Sequence, residues 1–300
     1  VDLHTGQELW FRNNTGINFG QTIYWSSPNM HGGFAYLWET ESIFDPATFT
    51  TKTNWHAYDP FSGEWVYTLT NVPEVGGGFG PSLSRRGENG EILAYDLNLA
   101  DGWMAMWNSS NIPALYGAED PTAGFFGFSY YSWLPEGKTV DARGPCPVSD
   151  LTPLGISGYN WNVSIPAGLP GGVAAILKDR IIGSTLATIG GTAPPQIAFW
   201  AISTAPGHEG ALLFNKTWNT PPGDLEMTFA AASLEEGVFT IFAKEKRAHY
   251  GFDINTGNNI WGPTPAQNYL DIYYATVSNL AYGNLYSTGA SGVVYCYDAQ

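Results

Sequence analysis

The sequence is poor in positive charge. Among its 300 residues, 12 are Lys or Arg and 27 are Asp or Glu, which gives a formal net charge of −15. A nucleic acid or an anionic membrane would be repelled by such a chain instead of exchanging counterions with it. We therefore expect no nucleic-acid partner.

Cysteines and long apolar runs are also scarce. Cys146 and Cys296 are the two cysteines, too few for a disulfide framework or a structural zinc site. No apolar run approaches the roughly 20 residues that a spanning helix needs, so no transmembrane segment is predicted in this chain. The first residue is Val1 and no signal segment follows it, which we interpret as a processed or excerpted chain.

Catalytic signatures are missing as well. There is no HExxH or GxSxG motif, and the "GGGFG" stretch at 76–80 is not followed by Lys-Ser or Lys-Thr. The acidic pairs Glu39/Glu41 and Glu235/Glu236 could in principle serve glycoside hydrolysis, but we expect them to be solvated surface. The histidines are scattered without metal-ligand spacing: His4, His31, His56, His208 and His249. The sequence predicts no enzyme activity and no metal site.

The chain is rich in aromatic residues, which make up 15% of it, within a 44% apolar content. Four stretches, "GEILAYD", "QIAFWAI", "RAHYGFD" and "GVVYCYD", alternate and contain many aromatic and β-branched residues. This pattern predicts β-strands. The chain is long enough for one large all-β domain or two ordinary ones.

An Asp-x3-Gly pattern followed by Trp recurs along the chain, on average about every 49 residues from Asp2 to Asp298. The sharp copies comprise Asp2, Gly6 and Trp10; Asp59, Gly63 and Trp65; and Asp253, Gly257 and Trp261. Degraded copies contain Asp96 with Trp103 or Trp107, Asp150 with Trp161, Ser203 with Gly207, and the unfinished Asp298. The period fits one four-stranded antiparallel sheet with its loops.

Each copy has a mechanical interpretation as a hairpin. The Asp accepts hydrogen bonds from turn amides, the Gly supplies a positive φ, and the Trp begins the outgoing strand. A small residue stands two places before the turn residue in five copies, at Ala57, Ala94, Ala201, Gly251 and Cys296. We expect it to leave room for a ring from a neighbouring sheet.

The pattern A-x-D-x-x-T-G-x-x-x-W resembles the tryptophan-docking motif of the quinoprotein-like β-propellers. The resemblance implies an all-β fold, a β-propeller of four-stranded antiparallel blades, as a single domain over residues 1–300. The chain supplies six blades' worth of sequence for an intact propeller of six to eight. The resemblance also leaves a second alternative function, a dehydrogenase that depends on pyrroloquinoline quinone. The alcohol-oxidising members of the family carry two adjacent cysteines and an acidic calcium site beside this cofactor, and the sequence has neither feature. No cofactor is therefore expected.

Two arrangements remain open for the ends of the chain. In one, "LHTGQELW" at 3–10 completes the sheet begun by "GVVYCYDAQ" at 292–300 and closes six blades. In the other, the chain is part of a larger propeller. In either case Cys146 and Cys296 should lie on well-separated blades, so we expect two buried residues that form no disulfide with each other.

Surface features favour an extracellular or cell-surface location, with the periplasm as the alternative. Glycosylation sequons occur at Asn13, Asn108, Asn162 and Asn215, and the composition resembles propeller-bearing surface proteins of archaea and some bacteria. We expect a structural scaffold or assembly subunit with protein partners or self-association. The alternative is a glycan- or peptide-binding module that uses exposed aromatics, of which Tyr130 and Trp133 are the candidates.

Overall fold

The computed structural model describes most of the chain. The described residues are 1–13, 16–27, 30–47, 49–73, 83–111, 135–144, 158–186, 191–268, 277–289 and 291–299. The elements within these ranges are twenty β-strands, so the all-β prediction is confirmed. Among these residues, no helix is long and apolar enough to cross a membrane.

The first sheet has five strands. Its order follows the chain through β1 (Ile17–Ser27), β2 (Met30–Asp45), β3 (Thr50–Tyr58) and β4 (Trp65–Val72), and ends with β8 (Thr139–Asp141). Strands β1 to β4 are antiparallel, as expected, but β8 pairs in parallel with β4. A short hairpin forces the antiparallel direction, whereas the long connection that leads to β8 permits either one.

Three further sheets have four strands each. One contains β5 (Ser84–Arg86), β6 (Ile92–Asn98), β7 (Trp103–Asn108) and β9 (Tyr159–Ser164) in that order. The second contains β10 (Gly172–Ile176), β11 (Arg180–Ser184), β12 (Gln196–Ser203) and β13 (Leu212–Asn219). The third contains β14 (Met227–Ser233), β15 (Val238–Ala243), β16 (Ala248–Asp253) and β17 (Asn259–Trp261).

The last sheet has three strands, β18 (Val277–Ala281), β19 (Asn284–Thr288) and β20 (Val294–Asp298), all antiparallel. Several four-stranded antiparallel sheets are thus present, as the repeat predicted. The closure of a ring and its number of blades stay predictions.

The chain divides into two compact units. The first comprises 1–75, 84–96 and 105–162, and the second 76–83, 97–104 and 163–300. The prediction of a single domain over 1–300 is not tested by this division. Each unit has its own core, described next.

The core of the first unit is aromatic. Trp38, Trp55 and Tyr67 are buried on β2, β3 and β4. The rings of Trp38 and Tyr67 meet edge to face with centroids 5.3 Å apart, and Trp55 meets Trp107 in the same way at 5.8 Å. Such pairs contribute about 0.5–1.5 kcal/mol each beyond the area they bury.

The core of the second unit contains a phenylalanine cluster. Phe199, Phe239 and Phe252 come from β12, β15 and β16 and are fully buried. Their ring centroids lie 5.0 to 5.3 Å apart. All residues of β15 are buried, which explains why its sequence "VFTIFA" is apolar throughout except for Thr240.

Candidate functional site

The turn at Asp59 shows how one copy of the repeat is built. The Asp59 carboxylate accepts hydrogen bonds from the amides of Phe61 (2.9 Å) and Ser62 (2.7 Å). The Gly63 amide donates to the Asp59 carbonyl at 2.9 Å, and Gly63 has a φ of +73°. A residue with a side chain would be strained at that φ, which is why the fifth position of the turn is Gly.

The turns at Asp2 and Asp253 repeat this geometry. The Asp2 carboxylate accepts from the amides of His4 and Thr5, and the Asp253 carboxylate from those of Asn255 and Thr256. Burial opposes ionisation of Asp253, but the hydroxyl and amide bonds from Thr256 outweigh it and lower the pKa of this carboxyl. The three Asp-x3-Gly sites are therefore turn-closing sites.

Trp10 docks on the turn of the following copy. Its indole Nε1–H donates to the Pro60 carbonyl at 2.9 Å. A Cβ on Gly63 would lie 2.6 Å from Cδ2 of the Trp10 ring, so the ring rests directly on the glycine. Gly63 thus serves both the turn and the docked indole.

Trp261 makes the equivalent contact in the second unit. Its Nε1–H donates to the Ala299 carbonyl at 3.0 Å, in the residue after Asp298. Its ring packs on Gly251, which faces Trp261 in the register of β16 and β17. The small residue before the turn therefore accommodates a ring of its own hairpin, which corrects the expectation of a ring from a neighbouring sheet.

Phe214 is a docked ring that the Trp-containing repeat pattern does not predict. It lies opposite Ala201 in the register of β12 and β13. A Cβ on Gly257 would come within 2.6 Å of its Cδ2 atom. Phe214 therefore rests on the Asp253 turn as Trp10 rests on the Asp59 turn.

The docking role expected for Trp65 is corrected by the structure. Trp65 is 41% exposed, whereas Tyr67, opposite Ala57 in the register of β3 and β4, is fully buried. Tyr67 stands eight residues after Asp59, the same spacing that separates Asp2 from Trp10. The residue eight places after the turn Asp therefore occupies the ring position, and in this copy that residue is Tyr67 instead of Trp65.

The copy at Asp96 is shifted by two residues. The turn is closed by Asn98, whose side-chain oxygen accepts from the Asp101 amide and whose carbonyl accepts from the Gly102 amide, both at 2.9 Å. Asp96 instead accepts a hydrogen bond from the Tyr159 hydroxyl. Of the two candidate rings on β7, Trp103 is 38% exposed, whereas Trp107 is buried and its indole N–H donates to the Ala142 carbonyl at 2.8 Å.

The remaining sequence candidates have mixed positions. Trp161 is half-buried, with its ring centroid 6.1 Å from that of Tyr95, and Asp298 ends β20. Asp150, Tyr130, Trp133 and Cys146 lie outside the described residues. The absence of a disulfide between Cys146 and Cys296 therefore stays a prediction. Cys296 is exposed on β20, which corrects the expectation that it is buried.

Three of the sequon asparagines are exposed and one is half-buried. Asn13 precedes β1, Asn162 lies on β9 and Asn215 on the edge strand β13, all exposed. Asn108 is half-buried, and its side-chain oxygen accepts from the Ser110 hydroxyl at 2.7 Å. Their accessibility permits glycosylation of the first three without establishing it.

A polar cluster covers the face of the first sheet that is turned away from the aromatic core. We call it the outer patch, and it comprises Glu39 and Glu41 of β2, Asn54 and His56 of β3, and Trp65 and Thr68 of β4. Five of these residues share a face because Glu39 pairs with His56, Glu41 with Asn54, and His56 with Thr68 across the strands. A register shift between Ala57 and Tyr58 pairs Trp65 with Tyr58 and brings Trp65 to the same face. The sequence search considered the Glu39/Glu41 pair but not its partners.

A chain of hydrogen bonds runs through the outer patch. The Trp65 indole donates to the Thr68 hydroxyl at 3.0 Å, and that oxygen lies 3.0 Å from Nδ1 of His56. His56 Nε2 lies 3.3 Å from Oε2 of Glu41, which also accepts from Asn54 at 3.1 Å. Since the Thr68 oxygen receives the indole proton, we assign its own proton to His56 Nδ1 and the imidazole proton to Nε2, facing Glu41.

Hydrogen bonds also hold Glu39 in position beside these residues. Its carboxylate accepts from the Tyr58 hydroxyl at 2.9 Å and from the Gly16 amide at 3.2 Å. Burial and the bond to Glu39 raise the pKa of Tyr58, and the Arg12 guanidinium stacks 4.4 Å from the centre of the Tyr58 ring. Both glutamates of β2 are thus held in defined positions.

The geometry of the outer patch suits recognition better than catalysis. Thr68, His56 and Glu41 follow the hydroxyl, imidazole and carboxylate order of a nucleophile relay. However, the Thr68 hydroxyl is buried and already accepts a hydrogen bond from the Trp65 indole, so it is poorly placed to act as the nucleophile. Hydrogen bonds from Asn54 and His56 lower the pKa of Glu41, whereas a glycosidic general acid needs a raised one.

A second polar group is buried in the second unit. His249 on β16 is fully buried, and its Nε2 lies 3.2 Å from the Ser287 hydroxyl, to which Gln267 donates at 2.8 Å. Burial lowers the pKa of His249 to about 4. Its neutral ring is therefore part of the packing.

Among the described residues, no group of three or more His, Cys, Asp or Glu side chains is arranged to hold a metal ion. The outer patch and the repeat turns are the two arrangements that remain for interpretation.

Comparisons with known proteins reveal distant similarities only. No protein-family model matches the chain, and no curated protein does. Among solved structures, BamB from Moraxella catarrhalis is 10% identical with a TM-score of 0.34, over 88% of this chain and 81% of that chain.

Two further structures have similar values. Dihydro-heme d1 dehydrogenase NirN in complex with DHE is 11% identical with a TM-score of 0.31, over 94% of this chain and 52% of that chain. The periplasmic gluconolactonase PpgL from Pseudomonas aeruginosa is 9% identical with a TM-score of 0.30, over 94% and 92% of the two chains. Similarity at this level assigns neither a family nor an activity to the chain.

Proposed function

We propose that this chain is a non-catalytic scaffold of the quinoprotein-like propeller type, located outside the cell or on its surface. We further propose that it assembles by strand addition at β20. In this role the aromatic residues maintain the shape of the protein, and the main chain of an edge strand pairs with a strand of the partner. The edge of β20 is the observation that carries the proposal.

The aromatic rings support the scaffold role because they join successive copies of the repeat. Trp10 bonds the turn of the next copy, Phe214 rests on Gly257, and Trp261 bonds the residue after Asp298. Each contact uses an indole N–H or a glycine without a Cβ, so it depends on shape instead of reactive groups. Phe214 is buried, and truncation of a buried Phe to Ala costs about 3–5 kcal/mol. Trp10 and Trp261 are half-buried.

The edge of β20 supports the assembly role. Within the part of the chain that the structure describes, β20 ends a three-stranded sheet, while every other sheet has four or five strands. Val294 is 63% exposed and Cys296 is exposed on the same face of β20. An edge strand presents unpaired N–H and C=O groups on which a strand of another chain can add.

The occupant proposed for this edge is a second copy of the same chain. The net charge of −15 opposes close approach of whole molecules, so association should strengthen with salt. Size-exclusion chromatography with light scattering, from about 1 to 100 μM protein, tests this. We expect mass to rise with concentration and with ionic strength.

A charged edge residue should block the assembly. Val294→Lys should weaken self-association by about tenfold or more because lysine on an edge strand disfavours pairing, while Val294→Thr keeps a β-branched side chain and should not. Leu212→Lys, at a 43% exposed position of the edge strand β13, is the matched control. A monomer at every concentration, or an equal effect of Leu212→Lys, would contradict the proposal.

A further inference from the structure

We propose that the outer patch is a binding site for a neutral pyranose sugar, with Trp65 as the stacking platform and Glu41 and Asn54 as the groups that bond hydroxyls, while His56 holds Glu41 in position. This site is separate from the assembly edge and does not depend on it. Three features of the patch support sugar binding: one exposed indole, the polar groups beside it, and the negative charge around them.

Trp65 is exposed for a structural reason. The ring position of its copy is filled by Tyr67, so Trp65 has no packing role between sheets, and 41% of it remains exposed. Its indole N–H is nevertheless bonded to the buried Thr68 hydroxyl, which fixes the ring orientation. An indole held in this way presents a rigid apolar surface at little entropic cost on binding. The C–H groups of a pyranose carry partial positive charge and pack favourably on the negative face of an aromatic ring.

The polar groups beside Trp65 match the needs of sugar hydroxyls. Glu41 is 52% exposed at its side chain and His56 26%. A carboxylate offers about four lone-pair directions, and Asn54 and His56 use two of them on Oε2. Glu41 therefore retains acceptor capacity for a hydroxyl, and the Asn54 amide has a second N–H to donate. A pair of neighbouring sugar hydroxyls, each both donor and acceptor, can use these groups together.

The site is organised before a ligand arrives. The paired register of β2, β3 and β4 fixes the backbone under the patch, and the bonds from Trp65 through Thr68 and His56 to Glu41 fix the side chains. Sites that hold a few polar groups in place beside an apolar surface bind small ligands with orientation. A face that only needed solvation would not require its indole, hydroxyl, imidazole and carboxylate to be bonded in sequence.

Charge selects among sugars. Glu39 and Glu41 both project from this face, and the chain carries a net charge of −15. A uronate or a sulfated sugar would meet repulsion here. The proposal therefore specifies a neutral pyranose, either free or as a residue of a surface polysaccharide.

The test uses the intact chain and defined probes. Methyl glucopyranoside, methyl galactopyranoside, methyl mannopyranoside and methyl glucuronopyranoside are titrated separately into labelled protein while the indole N–H resonances are followed by NMR. A Trp65→Phe variant assigns the Trp65 resonance. A neutral glycan array run in parallel separates a free monosaccharide from a polysaccharide as the source.

The expected result is that at least one neutral probe or array glycan shifts the Trp65 resonance. Trp65→Ala should weaken its binding by about tenfold or more, and Glu41→Gln by about fivefold or more. Trp103→Ala is the matched control, because Trp103 also begins a strand and is 38% exposed, and it should change binding by less than about twofold. The glucuronoside should bind less tightly than its neutral counterpart.

Several results would overturn the proposal. They are the absence of any neutral ligand, equal losses with Trp65→Ala and Trp103→Ala, or tighter binding of the glucuronoside. If Trp65→Ala fails to fold, the shift of the assigned Trp65 resonance in the unmodified chain decides. A monomeric protein that binds sugar would contradict the assembly proposal and leave this one intact, and an assembling protein without sugar binding would do the reverse.

Discussion

Replacement of the buried His249 should change how stability depends on pH. The side chain is fully buried on β16. Its ring lies 4.8 Å from the Phe242 ring and 6.1 Å from Tyr297, centroid to centroid, and Ser287 is its hydrogen-bond partner. Tyr297 is the titratable group that faces it, and burial also raises the pKa of that hydroxyl, so it is neutral at acidic pH. Protonating His249 would thus place an unpaired charge in the core.

The magnitude follows from the difference in pKa between the two states. The pKa of His249 is about 4 in the folded protein and 6.5 in the unfolded chain. Between these values the unfolded chain binds the proton and the folded protein does not, so stability falls as pH falls. The slope is about 1.4 kcal/mol per pH unit, and the total loss from neutral pH to pH 4 is about 3 kcal/mol.

Urea unfolding at several pH values between 7.5 and 4 measures this loss. The carboxylates also titrate near the acidic end, so the comparison is between variants. His249→Gln should flatten the dependence by about 3 kcal/mol over this range, whereas His208→Gln, at an exposed histidine, should leave it unchanged. Equal slopes for the unmodified chain and His249→Gln would show that His249 does not cause the loss of stability, whatever the absolute stability of the variant.

Two further predictions concern the repeat turns. Gly257→Ala should lower the free energy of unfolding by about 2–4 kcal/mol, since it adds strain at a φ of +70° and a contact of 2.6 Å with Phe214. Gly237→Ala is the control, at a φ of +72° with no atom within 4 Å, and it should cost about 1 kcal/mol. Equal costs for Gly257→Ala and Gly237→Ala would contradict the docking of Phe214. Asn98→Ala should cost about 1 kcal/mol through its lost turn bond, and Asp96→Asn, which keeps an acceptor, should cost less than half of that. An Asn98→Ala variant as stable as the unmodified chain would contradict the assignment of Asn98 as the turn residue. Urea unfolding midpoints measure all four.

The repeat turns were predictable from sequence because their geometry is local. Asp59 and Gly63 are four residues apart, and a carboxylate with a glycine at that spacing closes the turn without help from distant parts of the chain. Asn98 was not predicted because the pattern requires Asp at the turn position and therefore indicated Asp96. An Asn side chain accepts turn amides as well as an Asp does. The spacing of four between Asn98 and Gly102 was the available signal.

The docked rings were predictable only in part. A pattern that requires Trp predicts Trp65, although the spacing of eight residues between the turn Asp and the docked ring in the other two sharp copies indicates Tyr67. Phe214 could not be found in this way, since it stands eleven residues after Ser203. Any large planar side chain that meets a glycine can fill the place, so residue identity alone is a poor guide.

The outer patch lay beyond the reach of sequence analysis. Alternation along β2 indicates that Glu39 and Glu41 share a face, but their neighbours depend on the pairing register with β3 and β4. A shift of one residue would turn His56 to the opposite face. The parallel strand β8 was equally inaccessible, because the connection to it is long.

A double-mutant cycle between Trp10 and Gly63 tests most directly whether the ring of one repeat docks on the turn of the next. Gly63→Ala should cost about 2–4 kcal/mol in the unmodified chain, through strain and overlap with the indole. In a Trp10→Ala background only the strain of about 1 kcal/mol should remain, as for Gly6→Ala, where the φ is +72° and no atom lies within 4 Å. The account predicts a coupling energy of at least about 1 kcal/mol, and costs that add within about 0.5 kcal/mol would contradict it.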